Sequence, residues 1–138
     1  MINYLYYDTS SLLLNINHLF DNPEDKIIIS SITFQELEDI KTSNKKSEEL
    51  KQSARALLRL LEKNTNKYEV HIYEPLMATP IQIKGFEINN DLKILAGAIH
   101  YDKKYHPDET YFVTNDLGLR QIANLFFGED CILSITEE

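Results

Sequence analysis

The chain has 138 residues, 43% of them apolar, and a formal charge of −8. That length supports one domain with its own core, and no apolar run approaches the ~20 residues of a membrane span. The acidic balance argues against tight non-specific binding of nucleic acid through a basic surface, and a single cysteine, Cys131, excludes an internal disulfide.

Ile2 to Tyr7 is apolar and aromatic, which predicts a strand. Asp8-Thr-Ser-Ser is a helix start, followed by Leu12, Leu13, Leu14 and Ile16. Asp21-Asn-Pro-Glu-Asp is a polar turn. Lys26 to Ser30 carries three isoleucines in a row, the mark of a buried strand. The next segment, Ser31-Ile-Thr-Phe-Gln-Glu, opens a helix with apolar marks at Phe34, Leu37 and Ile40. Lys41 to Ser47 is a charged loop. Leu50, Ala54, Leu57, Leu58 and Leu61 recur at helical spacing, so a helix is predicted from Glu48 to Lys63.

Tyr68 to Tyr73 is the next expected strand. Glu74 to Glu87, with Pro75, Pro80 and Gly85, is expected to be irregular. Asn89-Asn-Asp91 opens a helix running to about His100. Asp102 to Glu109 is a loop, Thr110 to Val113 a strand, and Asn115-Asp116 the start of another helix. Asp130 to Ile135 is a last short strand. This alternation predicts an α/β fold, a mostly parallel sheet of about five strands with helices on both faces. Neither repeat nor linker divides residues 1–138, so a single domain is expected. The start MINYLYYD lacks the basic region and cleavage site of a signal peptide. Cys131 lies in an apolar run and suits a core position in a reducing cytoplasm.

Four acids stand where a predicted strand gives way to a helix or where a helix begins: Asp8, Glu36, Asp91 and Asp116. In an open α/β sheet such positions gather at the carboxyl ends of the strands, where ligands bind. Acids collected there suit a hard divalent cation, which prefers oxygen ligands and can activate water beside a phosphate. Each acid also has a plainer explanation. Asp8, Asp91 and Asp116 are good helix N-caps, and Thr33-Phe-Gln-Glu36 fits a capping box. Glu38 and Asp39 compete with Glu36 for any catalytic role. Caps can equally be Ser, Thr or Asn, so capping alone gives no reason for four acids at one edge.

The ordered set resembles the PIN domain, a metal-dependent nuclease fold. Tyr6-Tyr-Asp8-Thr-Ser resembles its first strand, and Ile32-Thr-Phe-Gln-Glu36-Leu-Glu-Asp the helix that carries its glutamate. Asn90-Asp91-Leu-Lys-Ile-Leu-Ala-Gly-Ala resembles the helix start with the third acid, and Phe112-Val-Thr114-Asn-Asp116-Leu-Gly-Leu-Arg the strand and turn with the last. Glu36-Leu, the basic loop and Ser53-Ala-Arg55-Ala-Leu-Leu-Arg-Leu-Leu look most like the branch associated with PhoH-type ATPases. The chain has no G-x-x-x-x-G-K-[ST] phosphate loop, so it is expected to be either a stand-alone protein or an excised domain.

The resemblance implies a three-layer fold, Mg²⁺ or Mn²⁺, and endonucleolytic hydrolysis of single-stranded RNA. It implies that Asp8, Asp91 and Asp116 hold the metal, that Glu36 completes the acidic pocket, and that Thr114 braces it, with Asn115 beside it. An antitoxin or a PhoH-type ATPase domain is the implied partner, with homodimerisation common in such domains. Lys45, Lys46, Lys51, Arg55 and Arg59 could steer the RNA backbone, or could form a solvated face paired with Glu48, Glu49 and Glu62. Arg120, four residues after Asp116, could contact phosphate or neutralise an acid. Tyr101 and Tyr105 could stack on bases or belong to the core. His18, His71, His100 and His106 show no zinc spacing. The main alternative is a PIN-like domain for protein interaction with little or no hydrolysis.

Overall fold

A computed structural model describes residues 2–135. Five strands form one parallel sheet: β1 (Asn3–Tyr7), β2 (Asp25–Ser30), β3 (Tyr68–His71), β4 (Thr110–Val113) and β5 (Ile132–Leu133), in the order β3-β2-β1-β4-β5. The helices are α1 (Thr9–Leu14), α2 (Ser31–Thr42), α3 (Glu48–Lys63), α4 (Thr79–Ile83), α5 (Asn90–Lys104) and α6 (Leu117–Ala123). Short 3₁₀ turns occupy Pro75–Ala78 and Glu129–Cys131.

The pleat sorts the sheet residues into two cores. Tyr6, Ile28 and Phe112 face one side with Leu95, Ile99, Tyr101 and Leu119. Leu5, Tyr7, Ile27, Ile29 and Val113 face the other, with Leu12, Leu37, Leu57 and Leu61. Both faces of the sheet are covered, which explains why β2 reads as an unbroken apolar run rather than an alternating one. The expected three-layer α/β architecture is therefore the observed one.

Register sets the level of the functional edge. Tyr7 pairs with Ile29 on one side and Val113 on the other, so Asp8, Ser30 and Thr114 follow side by side. Ser30 ends β2 and caps α2 through its hydroxyl, which accepts from Ile32 N at 3.1 Å. No loop intervenes, so α2 starts at the same edge.

Some boundaries differ from expectation. The segment expected to be irregular contains α4, because Pro80 sits in its first turn, where a missing N–H costs nothing. Gly85, at φ +93°, turns the chain after it. Helix α5 continues past His100 to Lys104, and the last strand shrinks to two residues.

Helix α5 approaches β1 closely at Gly97. A Cβ there would overlap the Tyr6 hydroxyl and lie 3.3 Å from His71 Nδ1. Tyr6 is fully buried and bonded to His71, so it has no room to yield. Gly97→Ala is expected to destabilise the fold by about 1–3 kcal/mol through overpacking. Gly128→Ala, at φ −63° with open space around it, should be near neutral. Urea denaturation of the two variants measures the difference.

Candidate active site

Asp8 ends the central strand and is 3% exposed. Its Oδ1 accepts from Ser11 N at 2.8 Å, which caps α1. The other oxygen, Oδ2, accepts from Thr114 Oγ1 at 2.5 Å. Thr114 Oγ1 in turn accepts from Asp116 N at 3.1 Å. One buried hydroxyl thus ties the ends of β1 and β4 together. Asp116 caps α6, its Oδ1 accepting from Leu119 N at 3.0 Å. For Asp8 and Asp116, capping and a place at the acidic edge are simultaneous.

The capping reading fails for the other two acids. Ser30, not Thr33, caps α2, so the expected capping box at Glu36 is absent. Glu36 Oε1 instead accepts from Thr9 Oγ1 at 2.6 Å. Thr33 Oγ1 lies 3.1 Å from the same hydroxyl. A hydroxyl has one proton, so Thr9 donating to Glu36 leaves Thr33 as donor to Thr9. This pair of buried threonines orients Glu36 toward Asp8 and was not singled out from the sequence. The only visible signal was a hydroxyl residue directly after Asp8. Asp91 is not a cap either: Asn89 caps α5, accepting from Leu92 N at 2.9 Å. Asp91 lies in the first turn, where the helix dipole favours an anion.

The four carboxylates feel one another. Burial raises the Glu36 carboxyl above its ordinary range, and the charges of Asp91 and Asp8 raise it further, against the lowering hydrogen bonds from Thr9 and Asn90. Asp91 is likewise raised by burial, then by Asp8 and Asp116. Among the described residues none of the four is in an ion pair. Such a set lacks a counter-charge, and a cation would supply it. No group of three or more His, Cys, Asp or Glu among the described residues is arranged to hold a metal ion. An ion held here by one or two of these carboxylates would keep most of its waters. An open recess of about 200 Å³ lies between Asp91 and Asp116, with Asn89 and Leu119 in its walls.

The basic residues divide. Lys45 and Lys46 are exposed on the loop between α2 and α3. Lys51 pairs with Glu48 at 3.4 Å and Arg55 with the same residue at 3.9 Å, as on a solvated helix face. Among the described residues Arg120 is in no ion pair, and its guanidinium is turned to the backbone. It donates to the carbonyls of Thr114 (3.1 Å) and Ile132 (3.3 Å) and bonds Ser134 Oγ. Asn115 acts similarly: its side-chain amide donates to Ile135 O at 2.9 Å and accepts from Ile135 N at 2.7 Å. Both fasten the segment after β5 to the Thr114–Asp116 turn. Tyr101 is a core residue, 2% exposed, whereas Tyr105 is half exposed.

A PIN domain sequence model matches residues 6–126, which spans all four acids. The chain belongs to the PIN domain family. Among solved structures, a chain of VapBC2 from Rickettsia felis, bound to a DNA fragment from its promoter, has the same fold. It aligns with a TM-score of 0.55 and 22% identity over 98% of both chains. Among curated proteins no match is found.

The raised carboxyls of this PIN domain have a measurable cost. The folded chain binds protons at Glu36 and Asp91 more readily than the unfolded chain does. Stability from this source is full in acid, below the ordinary values of 4.5 and 3.8, and is lost as pH rises through the raised ones. Without divalent ions at pH 7, Glu36→Gln and Asp91→Asn should each melt ~1–3 °C above wild type. The gap should close at pH 4. Calorimetry at the two pH values checks this, and equal melting at pH 7 would mean the acids do not strain the fold.

Proposed function

We propose that this PIN domain is a metal-dependent endoribonuclease that hydrolyses phosphodiester bonds of single-stranded RNA. The carrying observation is the gathering of Asp8, Glu36, Asp91 and Asp116 at one sheet edge, with mutual repulsion and no counter-charge. Asp8, Asp91 and Asp116 would hold Mg²⁺ or Mn²⁺, in part through water. When bound, the ion supplies an activated water and positive charge for the phosphate oxygens.

The chain's own groups do the rest. Ser11 N and Thr114 Oγ1 fix the Asp8 carboxylate in place before any ligand arrives. Thr9 holds Glu36 through one oxygen, which suits it to orient the attacking water and accept its proton. Water attacks phosphorus and the bond to the 3′ oxygen breaks, leaving a 3′-hydroxyl and a 5′-phosphate. The 2′-hydroxyl takes no part. Lys45 and Lys46, exposed and in no ion pair among the described residues, would meet substrate phosphate.

Residues 1–138 would work as one cytoplasmic domain. The solved neighbour is a VapBC pair, so the reading extends to a toxin whose partner is a small antitoxin. The Glu36-Leu segment and the basic loop support the other arrangement, with a PhoH-type ATPase partner.

The test is cleavage of an end-labelled single-stranded RNA with Mn²⁺, Mg²⁺ or chelator by wild type, Asp8→Asn and Asp116→Asn. Asn caps a helix about as well as Asp, so both variants should fold. Wild type should give metal-dependent products and both variants at least ~100-fold less, the scale of losing a key charge-stabilising group. Equal cleavage by all three would sink the assignment of these acids. No cleavage in any sample would favour the alternative, a PIN domain used for protein interaction.

A further inference from the structure

A cavity of about 600 Å³ lies away from the acidic edge, against β3 at the open side of the sheet. It is walled by rings from two elements. Tyr105 is half exposed and packs edge-on to His100 (6.1 Å) and His71 (6.4 Å). Lys104 Nζ lies 5.5 Å over the Tyr105 ring. An adjoining hollow of about 400 Å³ shares His100 and Lys104 and adds Lys103. In a chain of charge −8, adjacent lysines beside an open aromatic platform stand out.

We propose that this cavity is a subsite for one unpaired nucleotide of single-stranded RNA, its base bearing an exocyclic amino group. The proposal rests on the ribonuclease reading for its choice of substrate. An exposed aromatic face flanked by cations is the combination that holds unpaired bases: the ring stacks and the lysines take the phosphate. The rings are held for the task. His71 Nδ1 bonds Tyr6 OH at 2.8 Å, and His71 Nε2 meets His100 Nδ1 at 3.3 Å, leaving His100 Nε2 for a ligand. Burial, with His100 and Lys104 nearby, holds His71 down at about 4, so it stays neutral at pH 7.

Two carboxylates in the wall, Glu69 and Glu74, decide which part of a nucleotide enters. They repel phosphate but accept hydrogen bonds from an amino group such as that of adenine or cytosine. Glu69 Oε2 accepts from Tyr101 OH at 3.2 Å, which leaves Glu69 Oε1 and the Glu74 carboxylate as acceptors for the base. Helix α5 carries both ends of the path. His100 stands nine residues after Asp91, about 14 Å along the axis, a reach of a few nucleotides of extended strand.

The test is fluorescence anisotropy of a fluorescein-labelled single-stranded oligoribonucleotide of adenine and cytosine in EDTA, where cleavage is silent. Tyr105→Ala and Lys104→Ala should each weaken binding, the first by roughly tenfold, the scale of one lost stack. Tyr105→Phe should keep the affinity, and oligouridylate should bind more weakly than the mixed probe. Circular dichroism shows that each variant is folded. Unchanged affinity in Tyr105→Ala overturns the subsite, whether or not wild type cleaves RNA. Lost affinity in a protein that does not cleave RNA keeps the subsite and removes only the ribonuclease reading.

Discussion

Asp8 is a carboxylate with almost no exposed surface, at the end of the central strand, with no cationic side chain paired to it among the described residues. Burying such a group is costly unless hydrogen bonds replace its water. Here Ser11 N and Thr114 Oγ1 do so, one from the following helix and one from the neighbouring strand. Everything at the acidic edge depends on that arrangement. It fixes the first turn of α1, sets the level of Thr114, and through Thr114 Oγ1 orients the backbone that presents Asp116. Parallel register makes it possible, because the residues after Tyr7 and Val113 emerge side by side. A shift of one residue would turn either side chain to the opposite face.

The same residues explain what could be read from the sequence. Strand and helix types were legible because apolar runs and helical spacing report burial directly. The four acids were legible because they fall at strand ends and helix starts. Their plainer explanations were only half right: Asp8 and Asp116 do cap helices, while Asp91 and Glu36 do not. What was illegible is contact between residues distant in the chain. Thr9 and Thr33 meet across 24 positions to hold Glu36. Arg120 and Asn115 stand near Asp116 in sequence, and that proximity invited a phosphate-contact reading for the first and a supporting one for the second. Their side chains instead satisfy backbone groups near the end of the sheet, a choice that spacing does not encode.

On the opposite core, Gly97 lets α5 approach the sheet until Tyr6 OH meets His71. The contact has consequences at a distance, since His71 ends β3 and touches His100 on α5. Edge strand, helix and central strand are thereby joined by one run of polar ring contacts. Tyr6 and His71 are buried and held neutral by that burial. The buried, hydrogen-bonded Tyr6–His71 pair is a rigid wall for the cavity, and rigidity lowers the entropy lost when something docks there.

The two ends of α5 thus carry opposite electrostatic characters. Its first turn brings Asp91 into a group of acids that repel one another, and its last turn carries Lys103 and Lys104. Both placements follow the helix dipole, which favours anions at the start and cations at the end. The dipole is worth a few tenths to about 1 kcal/mol at such exposed positions, and at Asp91 desolvation and the charges of Asp8 and Asp116 act against it. The acidic edge is therefore held together against its own charge by the fold around it.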